Sequence, residues 1–288
     1  MKLVLKVLLV FLPLVALLFY FTRNKSAWNS KNITAAAPAS TPMAERFVKL
    51  AALPRQVQES SGIAALPQQH GHYLTHNDSG GKPYLFQINE KGEIEKTIEL
   101  PVSNHDWEDL TMDKQGNAYI SDTGNNDYDR DQLVIYKVNP AAPNQVQEIR
   151  FSYGAASEKE HKIDAEALFW YKGHLYLTTK DRDKKRVAQV YQLPDQAGTY
   201  EAKKIGAVDL KDKITGAAVS PEGDKVALLG DGMLYLFRDL DDAASFYKSE
   251  PQEIDLDGGG QTEGVTFKDE HTLVITSEGG NLYQYSLR

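Results

Sequence analysis

The amino-acid sequence predicts an all-β fold, a five-bladed β-propeller closed by an N-terminal strand and preceded by one N-terminal transmembrane helix. A short motif recurs five times along the chain, at intervals of 47, 58, 49 and 48 residues. The segments between the motifs alternate strand-forming runs with turns rich in Gly, Asn and Asp. One spare strand-forming segment precedes the first motif. Several short strands repeated at this period are typical of propeller blades.

The first 45 residues predict a membrane anchor followed by a tether. Leu3 to Phe21 are apolar except for Lys6, close to the ~20 residues that span a bilayer. We therefore expect residues 1–22 to be the anchor and residues 23–45, rich in Ala, Ser, Thr, Asn and Pro, to be a flexible linker. The expected location is the cell inner membrane, with a single pass and the propeller facing the periplasm or the outside. A signal peptide cleaved near Ala35 to Ala39 is the alternative.

The propeller is expected over residues 46–288, with one motif at the start of each blade. Every motif has a polar residue, then a small or acidic residue, then an apolar run. The five occurrences are Ser61-Gly62-Ile63, Glu108-Asp109-Leu110, Glu166-Ala167-Leu168, Thr215-Gly216-Ala217 and Glu263-Gly264-Val265.

The second repeat illustrates the four strands expected in each blade. They are predicted at Asp106–Met112, Ala118–Ser121, Gln132–Val138 and Val146–Phe151, and polar turns separate them. The last repeat has only three strand-forming segments. We therefore expect Arg46 to Leu53 to supply its outer strand, because a closed ring protects strand edges. The Tyr and Phe side chains of the third strands are expected to pack between blades.

The first strand of each propeller blade lines the central channel, so the first residues of the five motifs should converge on one axis. Three carboxylates and two hydroxyls would then face each other, and oxygen ligands of this kind suit calcium better than zinc. The sequence thus predicts a calcium site; hydrogen-bonding spacers are the alternative. The predicted metal ligands are Glu108, Glu166, Glu263, Ser61 and Thr215.

The loops at the same face as this ring supply polar residues that could bind a ligand. Such residues are also common in solvated turns, which is the alternative interpretation. The candidate ligand-binding residues are His76, Asn77, Asp106, Asp122, Asn125, Asp164, Lys180, Arg182 and Glu278.

Composition and missing motifs exclude several classes of function. The net charge of −8 argues against a nucleic-acid partner, because an acidic surface repels phosphates. The chain has no cysteine, which excludes disulfides, thiolate metal sites, a cysteine nucleophile and a lipid-modified cysteine. It also contains no P-loop, dinucleotide-binding fingerprint, nucleophile elbow or His-Glu-x-x-His motif.

On its five motifs, the chain resembles the SdiA-regulated (YjiK-type) family of bacterial envelope propellers. The resemblance covers the whole repeat region, with Thr215 where that family has Ser. It implies a five-bladed fold, an N-terminal membrane anchor and calcium as the bound cation. The register of the channel residues more distantly resembles the soluble calcium-activated nucleotidases, which are also five-bladed.

These observations favour a membrane-tethered envelope propeller that binds an unknown ligand or protein partner at an acidic, calcium-loaded face. One alternative is a calcium-dependent hydrolase of phosphoanhydrides or phosphoesters, in which the cation would polarise the phosphate. Lys180, Arg182 and Arg130 would then hold the substrate, and Asp106 or Asp122 would be the base. The other alternative is a scaffold without a small-molecule site.

Overall fold

The computed structural model describes residues 46–154, 163–180, 187–210 and 212–287. Regular structure in this part of the chain is almost entirely β-strand, arranged as five sheets, which confirms the predicted all-β, five-bladed propeller. Two short 3₁₀ helices, Arg55–Val57 and Ala243–Lys248, lie in connections. The predicted anchor and tether lie outside the described residues. Within the described residues we find no helix with the length and apolar character needed to cross a bilayer.

In each sheet, four neighbouring strands pair in antiparallel order from the channel outward. The first strands are β2 (Ser60–Ala65), β6 (Trp107–Met112), β10 (Ala165–Tyr171), β15 (Ile214–Val219) and β19 (Thr262–Asp269). The second strands are β3 (His72–Asn77), β7 (Ala118–Asp122), β11 (His174–Thr179), β16 (Val226–Gly230) and β20 (Thr272–Ser277). The third strands are β4 (Tyr84–Asn89), β8 (Leu133–Val138), β12 (Val187–Pro194), β17 (Met233–Phe237) and β21 (Asn281–Ser286). The outer strands are β5 (Ile94–Glu99), β9 (Gln147–Ser152), β14 (Lys203–Asp209), β18 (Gln252–Asp255) and β1 (Phe47–Ala52).

The outer strand of blade 5 comes from the N-terminal side of the chain. β1 pairs with β21 in antiparallel register, from Phe47 opposite Tyr285 to Ala52 opposite Asn281. The Phe47 ring stacks on Tyr283, with centroids 4.8 Å apart. The last sheet therefore joins segments from both ends of the propeller sequence.

Blade 2 departs from the four-strand plan. An additional strand, β13 (Gly198–Glu201), pairs in parallel with β9. β13 belongs to the connection between β12 and β14 of blade 3, and the Ala202 N–H donates to the Ser152 carbonyl at 2.8 Å. It covers an edge that the predicted four-stranded sheet would leave open. A four-residue strand with only partly buried side chains carries little apolar periodicity, so the sequence pattern does not reveal it.

The core consists of five apolar clusters, one between each pair of neighbouring blades, including blades 5 and 1. Aromatic rings bury large areas and stabilise such contacts. The expectation that third-strand aromatic residues pack between blades is confirmed. The buried third-strand aromatic residues are Phe86, Tyr136, Tyr191, Tyr235, Phe237, Tyr283 and Tyr285.

Each first strand carries a β-bulge at its motif. In β2, for example, Ser60 lies opposite Asn77 and Gly62 opposite His76, so Ser61 is an extra residue. The other four first strands shift register at the equivalent place. A bulge bends a strand locally and redirects a side chain. The repeated motif is therefore the sequence signal of a repeated bulge at one end of every sheet.

Candidate functional site

The first strands approach one another closely around the axis. A Cβ on Gly62 would lie 2.6 Å from the Leu110 backbone nitrogen, and one on Gly216 would lie 2.5 Å from the Glu263 carbonyl oxygen. Contacts this short exclude a side chain. Gly or Ala at this position in four blades thus lets the first strands converge, and the first residue of every motif lies near the same end of the channel.

Two groups of acidic side chains overlap at this end of the channel. The ligand oxygens of Asp78, Asp106 and Glu108 lie within 4.8 Å of one another, and so do those of Glu108, Asp164 and Glu166. Glu108 belongs to both groups. Acidic clusters of this kind could hold a metal ion, because carboxylate oxygens are the ligands that hard cations prefer.

The electrostatics of the cluster disfavour full ionisation without a cation. Burial, together with the charges of Asp78 and Asp164, raises the pKa of Asp106 to about 6. Burial and the charge of Glu166 raise the pKa of Glu108 well above its ordinary value. Desolvation and like charges both penalise the charged carboxylate. A divalent cation would relieve this repulsion.

Glu263 lies near this ring but outside both groups. Burial raises its pKa to about 7. The Gln261 amide donates to Glu263 Oε1 at 3.2 Å and to Glu278 Oε1 at 2.8 Å, which connects the ring to the exposed Glu278. The five predicted ligands therefore do not surround one point equally, because Glu108 and Glu166 share a group and Glu263 stands apart.

Lys180 enters the ring from the end of β11. Its ammonium is hydrogen-bonded and ion-paired with the Glu166 carboxylate. Burial raises the pKa of Glu166, and the charge of Lys180 opposes that rise. One of the predicted metal ligands is thus already neutralised by the protein.

The two predicted hydroxyl ligands, Thr215 and Ser61, are buried residues of first strands. The Thr215 hydroxyl lies 3.0 Å from the Thr262 carbonyl oxygen and 3.3 Å from the Leu229 carbonyl oxygen. It therefore connects blades 4 and 5. Ser61 is buried at the bulge of β2.

The loop after β7 supports the acidic cluster. Asp122 is fully buried, accepts from Arg130 Nη2 at 2.7 Å, and accepts from the backbone N–H groups of His105 at 3.2 Å and Asp106 at 3.3 Å. This network fixes the segment that carries Asp106. Asp122 therefore positions the segment that carries Asp106.

Asn125 and Gly124 complete this support. The Asn125 N–H donates to Asp164 Oδ1 at 2.9 Å, and its side-chain oxygen accepts from the Arg130 N–H at 3.1 Å. A Cβ on Gly124 would lie 2.2 Å from carboxylate oxygens of Asp106 and Glu108. A side chain at this position would therefore displace the Asp106 and Glu108 carboxylates.

The remaining predicted ligand-binding residues lie in different surroundings. His76 is fully buried on β3, edge-on to Trp107 at 5.4 Å, and burial lowers its pKa. Asn77 donates to the Gln56 carbonyl at 2.7 Å. Glu278 is exposed at the rim, and Arg182 lies outside the described residues. The structure therefore brings together Asp106, Asp164, Glu108 and Glu166, whereas His76 belongs to neither acidic group among the described residues.

Sequence reasoning missed the role of Asp109. This residue is fully buried, and its Oδ2 accepts from the backbone N–H groups of Leu168 at 2.8 Å and Ala217 at 3.0 Å. One carboxylate of blade 2 thus binds the first strands of blades 3 and 4. The available signal was an acidic residue at a motif position that is otherwise Gly or Ala.

A groove of about 690 Å³ is lined by the connection from blade 1 to blade 2 and by β8 and β9 of blade 2. Arg130 and His105 belong to its wall and also adjoin the network behind Asp106. Sequence reasoning did not predict the groove, since its lining comes from separate segments. The lining residues are Pro101, Val102, Ser103, His105, Arg130, Gln132, Leu133, Val134, Tyr136, Glu148 and Arg150.

A third acidic group lies in turns at the opposite end of the sheets. It comprises Glu222, Asp224 and Glu270. Lys225 Nζ lies 2.7 Å from Asp224 Oδ1 and 3.0 Å from Glu270 Oε2. A lysine therefore supplies the positive charge of this group, as Lys180 does for Glu166 at the other end of the sheets.

A comparison with models of known protein families finds no match for the chain. A comparison with curated proteins also finds no similar sequence. Function must therefore be argued from the fold and the geometry of the site.

Proposed function

We propose that this chain is a membrane-tethered propeller of the cell envelope that binds calcium at its acidic face and holds a ligand or protein partner there. The observation that carries the proposal is the position of Glu108, which is shared by two groups of carboxylates at the mouth of the channel. Closely spaced, desolvated carboxylates are stable together only with protons or a cation.

The donor set supports calcium as the cation. Asp78, Asp106 and Glu108 offer only oxygen ligands, and each residue also has a second carboxylate oxygen for bidentate binding. Asp78 is at least partly exposed, which gives a cation access from solvent. Zinc prefers imidazole and thiolate ligands, whereas both acidic groups around Glu108 consist of carboxylates alone.

The groove lined by blade 2 and by the connection that precedes it supports binding of a ligand. Its wall contains Arg130 and His105, which are connected through Asp122 to the segment that holds Asp106. A cleft of about 690 Å³ has the size of a small-molecule or peptide site. A ligand in the groove would therefore contact two residues of the network that positions Asp106, one of the proposed calcium ligands.

Binding is better supported than hydrolysis. A hydrolase of phosphoanhydrides or phosphoesters needs cationic groups that can hold the transferred phosphate. Arg130 is ion-paired with buried Asp122, and Lys180 with buried Glu166. Both cationic side chains are thus already paired with buried carboxylates of the protein.

The membrane attachment is part of the same proposal. The apolar segment from Leu3 to Phe21 would anchor the chain, and the tether would place the propeller outside the cytoplasm. β1 would then close the ring directly after the tether. A reporter active only outside the cytoplasm, fused after Arg288, should be active. Activity of a cytoplasm-only reporter at that position would reverse the orientation, and a mature N-terminus near Ser40 would indicate a cleaved signal.

The cation site is tested by calorimetric titration of calcium into the metal-free full-length protein. The parent should bind calcium, and Glu108→Gln should weaken binding by at least about tenfold, because it removes a charge shared by both groups. Glu222→Gln is the matched control, since it removes a carboxylate from the opposite end of the sheets. No heat of binding in the parent, or equal affinity of the parent and Glu108→Gln, would contradict the site.

A further inference from the structure

Lys180 occupies an unusual place for a lysine side chain. It projects from the end of β11 into the channel ring, where its ammonium contacts both carboxylate oxygens of Glu166. The exposed fraction of the side chain is 20% for Lys180 and 3% for Glu166. Lysine is rarely buried to this degree unless it is paired.

The other ring glutamates also act on this ammonium. Burial lowers the pKa of Lys180, but the charges of Glu166, Glu108 and Glu263 outweigh that effect and raise it. The three carboxylates that the sequence predicts as calcium ligands thus all stabilise one lysine charge. A comparable arrangement occurs at the opposite end of the sheets, where Lys225 forms ion pairs with Asp224 and Glu270.

We propose that Lys180 is the resident cation of the channel ring and keeps Glu166 from binding a divalent ion. The ammonium already contacts both oxygens that Glu166 could offer to a metal. Binding of a divalent cation at the ring would bring two like charges together in a poorly solvated channel. This inference deepens the proposed function, because it restricts the calcium site to the group of Asp78, Asp106 and Glu108.

The inference predicts that Lys180 and Glu166 act as a coupled pair. Removing one member leaves an uncompensated charge in buried surroundings, whereas removing both leaves none. Lys180→Met and Glu166→Gln should each lower the melting temperature of the full-length protein in EDTA. The double variant should recover most of the loss caused by Lys180→Met. Lys180→Arg keeps the positive charge and should melt close to the parent.

A calcium titration supplies the second measurement. In Lys180→Met the ring should accept the ion, so the variant should bind calcium at least about tenfold more tightly than the parent, or with one additional site. Lys180→Arg should bind as the parent does. This readout depends on the charge of residue 180 and would not change if the lysine only filled space.

The outcomes separate this inference from the proposed calcium site. Coupling of Lys180 with Glu166 in a parent that binds no calcium would contradict the calcium site and support the resident cation. Calcium binding by the parent, with additive effects of the two substitutions and unchanged affinity in Lys180→Met, would overturn the resident cation alone. Equal damage from Lys180→Arg and Lys180→Met in the melting experiment would also overturn it.

Discussion

At the second motif position, blades 1, 3, 4 and 5 carry Gly or Ala and blade 2 carries Asp109. The Asp109 carboxylate is fully buried and accepts from the N–H groups of Leu110 at 2.7 Å, Leu168 at 2.8 Å and Ala217 at 3.0 Å. Burial raises its pKa, and these donors oppose the rise. Three backbone amides from three blades thus depend on one side chain.

Asp109→Ala should therefore strongly destabilise the protein. It leaves buried N–H groups without an acceptor, and each such group costs about 1–3 kcal/mol, so we expect a loss of about 3–5 kcal/mol in the free energy of unfolding. Asp109→Asn should lose less, because its amide oxygen still accepts. The measurement is urea unfolding. Exposed Asp131→Asn is the control, and a loss from Asp109→Ala below ~1 kcal/mol would contradict this role.

The residue scale also shows the limit of sequence reasoning. The spacing of Glu108, Glu166 and Glu263 revealed their shared register, because each follows the same turn in a repeated unit. Lys180 could not be assigned in this way. Its ion pair with Glu166 spans 14 positions and depends on the direction that the chain takes after β11. Side-chain pairs of this kind follow from the three-dimensional path and not from a local pattern.

At the scale of the element, the bulged first strand explains the small residues of the motif. Gly62 and Gly264 lie side by side, and a Cβ on Gly264 would lie 3.0 Å from the backbone of Gly62 and Ile63. Strand propensity alone would disfavour glycine here. The close approach of neighbouring strands overrides that preference. The glycines therefore mark the places where the blades converge.

Gly62→Ala should therefore destabilise the propeller. Its Cβ would lie 2.6 Å from the Leu110 nitrogen and 2.8 Å from the Asp109 carbonyl carbon, and backbone atoms cannot move aside as a flexible side chain can. We expect a loss of about 1–3 kcal/mol, as for overpacked cores. Gly81→Ala is the control, because its Cβ would have only one neighbour, at 3.9 Å. Equal unfolding curves for the two variants would show that the strands can separate at no cost.

The element plan was largely predictable, since polar turns separate the strands and apolar runs fill them. The predicted second strand Ala118–Ser121 compares with β7 at Ala118–Asp122, and the predicted Gln132–Val138 with β8 at Leu133–Val138. The bulges were not predicted as such. A bulge is a difference in count between two paired strands, and only their pairing shows it.

β1 provides the next prediction. Its pairing with β21 and the stacking of Phe47 on Tyr283 cover the outer edge of blade 5. A chain that begins at Glu59 should expose that edge, melt at a lower temperature than a chain that begins at Arg46, and self-associate with rising concentration. Melting curves and sedimentation measure both effects. If the two chains melt alike and both remain monomeric, β1 does not close the ring.

At the scale of the whole molecule, the acidic charge is unevenly distributed. The group of Glu222, Asp224 and Glu270 contains Lys225, whereas the overlapping groups around Glu108 contain five carboxylates with one lysine at their inner side. The repeat period predicted where such a channel face lies, but the balance of charge within it depends on loops of different blades. The two ends of the propeller should consequently differ in their response to pH and cations.

The pH dependence of stability tests this difference for the metal-free protein. Unfolded Asp and Glu titrate near pH 4, whereas the folded pKa is about 6 for Asp106 and about 7 for Glu263. The folded state therefore holds extra protons in this range, so stability in EDTA should fall as the pH rises from about 4 to about 7. Millimolar calcium, which binds the deprotonated carboxylates, should reduce that fall. Melting curves recorded across this pH range measure the fall in stability. Asp106→Asn should flatten the pH profile, and the control Glu222→Gln should leave it unchanged. A melting temperature that rises with pH in EDTA would contradict the repulsion on which the cation site depends.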